Sequence, residues 1–346
     1  IHYAATLGHD SIVTLLLQHG AGVNDLDARH LTPLILAARE GHVRVVDVLL
    51  DAGADPRARF VVDGLQMPLD VAAERGHVNV IKAISQRDPG IVNDTEFGTG
   101  FSPMHFAAKH DKVSSIDALV EAGANLELKD VKGQTALHVA ADIPDCEAAV
   151  LALLRHGATK ETLNNDNLTP LFVAIKAGNE PTAKALIAAG ADGRGGGQSW
   201  YSALELAVQA KCVGLMRVLV QHGADVSATS PSGSSCLHWA AWGDCAPAID
   251  FLVEAGANVN AKLKDDETTP LHLASQTAGN LAAIEALARH GANIHAKKVP
   301  SGDTPLHTAS ENCFFEGSPG TVDALLKAGA DETAVNAGGQ APLHVL

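Results

Sequence analysis

Residues 32–55 read TPLILAAREGHVRVVDVLLDAGAD, and the reading of this stretch decides the fold. Thr32 stands where a helix N-cap belongs, and Pro33 takes the first helical position, where its missing N–H costs nothing. A short helix is expected from Leu34 to Arg39, ended by Gly41. A second helix begins near His42, with Val43, Val46, Leu49 and Leu50 at helical spacing on one face. Gly53 stops it in the position of a left-handed C-cap. An extended stretch with turn residues then leads to the next equivalent of Thr-Pro-Leu. The small pair Ala37-Ala38, matched by Ala107-Ala108 and Ala140-Ala141, lets two helices approach closely.

The stretch recurs along all 346 residues. Gly-Ala returns at Gly20, Gly53, Gly123, Gly157, Gly190, Gly223, Gly256, Gly291 and Gly329, at intervals of 33 to 38 with one doubled step of 70. Thr-Pro-Leu or its equivalent starts at Thr32, Met67, Ser102, Thr135, Thr169, Ser202, Ser235, Thr269, Thr304 and Ala341. Two independent series keep one period, which is the mark of a repeat protein.

The pattern T-P-L-H-x-A-A, then G-H, then V-x-x-L-L-x-x-G-A-D/N resembles the ankyrin repeat over the whole chain. The resemblance implies an all-α solenoid of helix-turn-helix units joined by β-hairpin-like loops, in a curved, right-angled stack. It also implies protein–protein recognition without catalysis. Residues 1–346 are expected to form one solenoid domain. Its approximate units are 1–31, 32–66, 67–101, 102–134, 135–168, 169–201, 202–234, 235–268, 269–303 and 304–340, with a partial unit at 341–346.

Departures from the pattern have local meanings. Phe60-Val61-Val62 lies in a hairpin two residues longer than usual. Asp142-Ile143-Pro144-Asp145 replaces Gly-His and alters the bend between two helices. The third unit's second helix ends at Pro89, so a local irregularity in superhelical curvature is expected near residues 85–101. Asn312 to Gly320 is an insertion carrying Phe314 and Phe315. Both ends cut through repeats and lack a polar cap, so the chain is expected to be a segment of a longer protein.

Composition narrows the function classes. With 25 Lys and Arg against 40 Asp and Glu, the net charge is −15, a poor balance for gripping nucleic acid. No apolar run approaches the roughly 18 residues of a membrane span. The five cysteines form no C-x-x-C pair and read as free thiols in a cytoplasmic or nuclear protein. The sequons at Asn93 and Asn167, without a signal peptide, read as chance matches.

Seventeen histidines invite a metal or acid–base reading, and position decides against it. Seven stand in the T-P-L-H slot, namely His2, His105, His138, His238, His272, His307 and His344. The ankyrin resemblance implies that a slot histidine bonds the backbone of the neighbouring unit. His9, His42 and His77 open second helices, and His19, His156, His222 and His290 precede the closing glycine. Only His30, His110 and His295 fall off the pattern. Asp265-Asp266-Glu267 reads as a solvated hairpin tip, and Gly195-Gly196-Gly197 lacks the context of a phosphate loop. No catalytic residue, metal, cofactor or small-molecule substrate is therefore expected.

The ankyrin resemblance also implies that the two residues after Ala-Ala face the concave, partner-binding side. Eight of nine such pairs open on a polar residue, Gln209 and Gln276 among them, and the ninth opens on Trp242. Trp239 precedes it by three residues, and Trp200 and Tyr201 lie at the preceding hairpin tip. Buried Trp and Tyr dominate interface energies, so these six residues are the candidate contact surface. The acidic balance suits a basic peptide or helix. The leading reading is a scaffold or recruiting module. The alternatives are the substrate-recognition portion of a ligase or kinase, and an elastic or cytoskeletal adaptor spacer.

Overall fold

The computed structural model of the chain describes residues 1–59, 66–193, 202–277, 279–316 and 319–344, and for 312–316 the backbone alone. The chain forms two compact units, Ile1–Ala191 and Asp192–Leu346, each a run of helix pairs. The first unit holds His2–Thr6 and Asp10–Gln18 (α1, α2), Pro33–Glu40 and Val43–Asp51 (α3, α4), Pro68–Arg75 and Val78–Arg87 (α5, α6), Pro103–Lys109 and Val113–Glu121 (α7, α8), Ala136–Asp142 and Glu147–Arg155 (α9, α10), and Pro170–Lys176 and Glu180–Ala188 (α11, α12). The second holds Ala203–Gln209 and Val213–Gln221 (α13, α14), Cys236–Trp242 and Ala246–Glu254 (α15, α16), Pro270–Gln276 and Leu281–Arg289 (α17, α18), and Pro305–Glu316 and Pro319–Lys327 (α19, α20). Within each unit, first helices pack on first helices and second on second, as α5 does on α3 and α7, and α16 on α14 and α18. No strand occurs among the described residues beyond isolated bridge residues at Gln66 and Phe97 and a bridge between Thr229 and Ser235.

The local chemistry read at residues 32–55 is what holds a pair together. Thr32 Oγ1 accepts the Ile35 N–H at 3.3 Å, and Gly41 closes α3 at φ +80°. A Cβ on Gly41 would lie 2.6 Å from the His77 ring of the next repeat, so Gly-His is one device spread over two repeats. His77 Nε2 in turn bonds the Arg39 carbonyl at 3.0 Å, and His42 bonds the Thr6 carbonyl at 2.9 Å. At Gly53 the φ of +85° selects glycine by conformation alone, because a Cβ there would meet nothing within 4 Å.

Five T-P-L-H histidines stitch the start of their repeat to the chain just before the next repeat's cap. His105 Nδ1 accepts the Ser102 N–H at 3.1 Å and contacts the Ser102 hydroxyl at 2.8 Å. Its Nε2 donates to the Gln134 carbonyl at 3.0 Å. His138, His238, His272 and His307 repeat the arrangement against the carbonyls of Leu168, Thr268, Asp303 and Gln340. An Nδ1 that accepts an amide hydrogen carries no proton, so these rings are neutral with the proton on Nε2. Burial holds His105, His138 and His238 below the ordinary imidazole range and His272 down to about 4.

Other residues in this slot lose the stitch. Phe172 fills it in α11, and the buried Thr169 hydroxyl is left without a partner. Asp70 fills it in α5, fully buried, taking the Met67 N–H at 2.8 Å on one oxygen and nothing on the other. Burial pushes this carboxyl up to about 8, against the pull of the Met67 amide. In the unfolded chain it ionises near pH 4, so stability falls as pH rises from there to about 8. Asp70→Asn keeps the acceptor and removes the titration. It is expected to raise unfolding stability at neutral pH by about 2 kcal/mol, and by much less near pH 4. Urea melts at the two pH values measure this, and equal gains at both would refute it.

Within residues 85–101, a 3-10 turn, Pro89–Asn93, follows α6. Arg57 clamps it through Asp88, at 2.7 Å, and Asp94. At the altered bend, Asp145 turns at φ +62° and Cys146 places its thiol 3.6 Å from the Lys109 carbonyl. The insertion at 312–320 begins as a continuation of α19, which runs 12 residues to Glu316. Phe60–Val62 and the side chains of Phe314 and Phe315 lie outside the described residues.

Candidate protein-binding surfaces

In the second unit, the ends of α13, α15 and α17 bring together Gln209, Trp242 and Gln276. Helix α15 packs against both α13 and α17, and all three residues are exposed. Trp242 is 57% exposed, although the neighbouring Ala240 and Ala241 are buried. Trp239 lies one turn earlier and is half-buried, its ring edge-on to Trp242 at 6.1 Å between centroids and 80° between planes. The backbone under Trp242 is fixed from the next repeat. Asn280 Nδ2 donates to the carbonyls of Ala241 at 3.2 Å and Trp242 at 3.0 Å. Trp242 thus presents a large apolar face on a held backbone, which limits the ordering cost of binding. Trp200 and Tyr201 lie outside the described residues.

A second surface forms in the first unit, where the pairs Arg39-Glu40, Glu74-Arg75 and Lys109-His110 meet at the exits of α3, α5 and α7. All but Glu40 border a cavity of about 400 Å³, and Glu40 lines the hollow beside it. Gln66 Nε2 donates to Glu74 at 3.1 Å, and His110 Nε2 stands 3.8 Å from the other Glu74 oxygen. Phe101 stacks on His105 at 5.2 Å and meets Phe106 edge-on at 5.5 Å, with the Lys109 ammonium 6.0 Å above its ring. Sequence reasoning names the exit pairs and misses Gln66 and Phe101. Both immediately precede a first-helix cap, at Met67 and Ser102, and that shared register is the signal that finds them.

The residues weighed as chemistry are bound up in the fold. His156 and His290 reach the Asp117 and Asp250 carboxylates at 2.7 and 2.8 Å. Glu267 at the acidic tip meets Lys262 at 2.6 Å, and Asp266 lies 3.8 Å from Lys298. Among the described residues no group of three or more His, Cys, Asp or Glu is placed to hold a metal ion, and no helix is long and apolar enough to cross a membrane. Gly195–Gly197 lies outside the described residues.

Comparison with known proteins agrees with this architecture. The family model for ankyrin repeats in three copies matches residues 1–60, 69–163, 144–230, 215–298 and 237–336. The ankyrin repeat protein nuc-2 of Neurospora crassa is 27% identical over 194 residues, 56% of this chain and 18% of that protein. The nuclear factor NF-kappa-B p105 subunit of Gallus gallus is 32% identical over 171 residues, 49% of this chain and 17% of that protein. The chain thus spans less than a fifth of these curated relatives. Among solved structures, the ankyrin repeat domain of Bcl-3, a member of the IkappaB protein family, superposes with a TM-score of 0.54 at 30% identity, covering 60% of this chain and 94% of that one.

Proposed function

The chain belongs to the ankyrin-repeat family, and from that premise we propose a non-catalytic scaffold or recruiting module that grips its partner on the first-helix face of residues 192–346. Ankyrin repeats in general mediate protein–protein interaction. The observation that carries the finer reading is Trp242, 57% exposed at a position that is polar at the other first-helix exits. Trp239 backs it and Gln209 and Gln276 flank it, and the sequence adds Trp200 and Tyr201 as candidate contacts. Residues 192–346 hold 16 Asp and Glu against 9 Lys and Arg, which favours a basic peptide or helix and raises its on-rate. A cytoplasmic or nuclear setting suits five cysteines that form no C-x-x-C pair.

The test is Trp242→Ala and Tyr201→Ala against a partner isolated by pull-down. Each variant is expected to weaken binding roughly 30-fold with an unchanged melting temperature. Full affinity in both places the partner elsewhere. If Trp242→Ala instead melts its own repeat, the indole is a lid on the core.

A further inference from the structure

The groove in the first unit has a charge balance opposite to that of its surroundings. Residues 1–191 carry 24 Asp and Glu against 16 Lys and Arg. Along the exits of α3, α5 and α7 the proportion reverses, with Arg29, Arg39, Arg75, Lys109 and Lys112 facing Glu40, Glu74 and Glu96 across two adjoining hollows.

The pairing is also one-sided. Each groove carboxylate already has a donor. Glu40 holds Arg39 at 3.1 Å, Glu74 holds Gln66, and Glu96 accepts the Thr99 hydroxyl. Arg75, Lys109 and Lys112 have no carboxylate within 4.0 Å among the described residues. Arg75 and Lys109 are exposed and stand on neighbouring helices. Between them the half-buried Phe101 ring and the buried Val71 give the hollow an apolar floor.

Resting on the reading that first-helix faces bind protein partners, we infer that this groove is a second docking site, and that its occupant is an acidic peptide segment with an apolar side chain among its carboxylates. The carboxylates neutralise Arg75, Lys109 and Lys112, and the apolar side chain covers Phe101. The two faces therefore select segments of opposite charge, and one chain can hold two different partners.

The test uses the full chain and two fluorescent probes, a Glu-rich peptide with one leucine and its Lys-rich counterpart, read by anisotropy. The acidic probe is expected to bind saturably and to weaken with salt. Arg75→Glu combined with Lys109→Glu is expected to cost about tenfold or more in its affinity, with unchanged melting because both side chains are exposed. If the charge reversal does disturb melting, Arg75→Gln with Lys109→Gln keeps the comparison, with a loss in the same direction. Trp242→Ala is expected to leave acidic-probe affinity intact. Absence of acidic-probe binding, undiminished affinity in the neutral or reversed double variant, or loss of the probe in Trp242→Ala overturns the inference. The partner assay on the tryptophan surface fails or succeeds independently of all three.

Discussion

Acidification from neutrality to about pH 4 is expected to cost about 3 kcal/mol at His272 alone, and further stability at His105, His138 and His238. The sign follows from the stitches. Each ring is buried neutral, with Nδ1 accepting an amide hydrogen and Nε2 donating to a carbonyl just before the next repeat's cap. Its pKa in the folded chain therefore lies below the unfolded value of 6.5, reaching about 4 at His272. Stability is fully present above pH 6.5 and drains as the pH falls to the folded value. Asp70 runs the other way over the same range and offsets part of the loss in residues 1–191. The unit with His238 and His272 is therefore expected to melt first in acid. Urea midpoints between neutrality and pH 4 measure this. A flat profile would mean that the rings are accessible to water and that the stitches are not made.

Leu271→Ala is expected to cost about 2–5 kcal/mol. Leu271 is 1% exposed in α17, between α15 and α19, so truncation opens a cavity against both neighbours. In a stack whose stability is a sum of repeats and nearest-neighbour contacts, the loss concentrates around the repeat that carries the cavity. Hydrogen exchange is expected to rise first in α15, α17 and α19 and least in α1–α4. An unchanged denaturation curve would show that this helix face is not core.

Most of the fold is legible in the sequence because its causes are short-range. Thr32, Pro33, Gly41 and Gly53 act within a few residues of their own helix, and the period places every copy. The partners of His42 and His77 are less legible, since each bonds a carbonyl more than 35 residues earlier. Asp70 reads as an ordinary helix carboxylate. Its raised pKa comes from its complete burial, and no local motif marks that. The candidate sites divide the same way. Trp242 stands out against the polar residues at equivalent positions. The cationic groove does not stand out, because Arg29, Gln66 and Phe101 reach it from hairpin limbs whose fold-back depends on packing between repeats.

The stitches also set an order of assembly. Each slot imidazole from His105 to His307 depends on a carbonyl 29 to 33 residues downstream. A nascent chain leaving the ribosome therefore carries, in a repeat of this kind, a ring with no acceptor for its Nε2 proton until the last residue of that repeat has emerged. Such a repeat closes only with its final residue, and a pause before that point leaves it as the segment most open to chaperones and proteases.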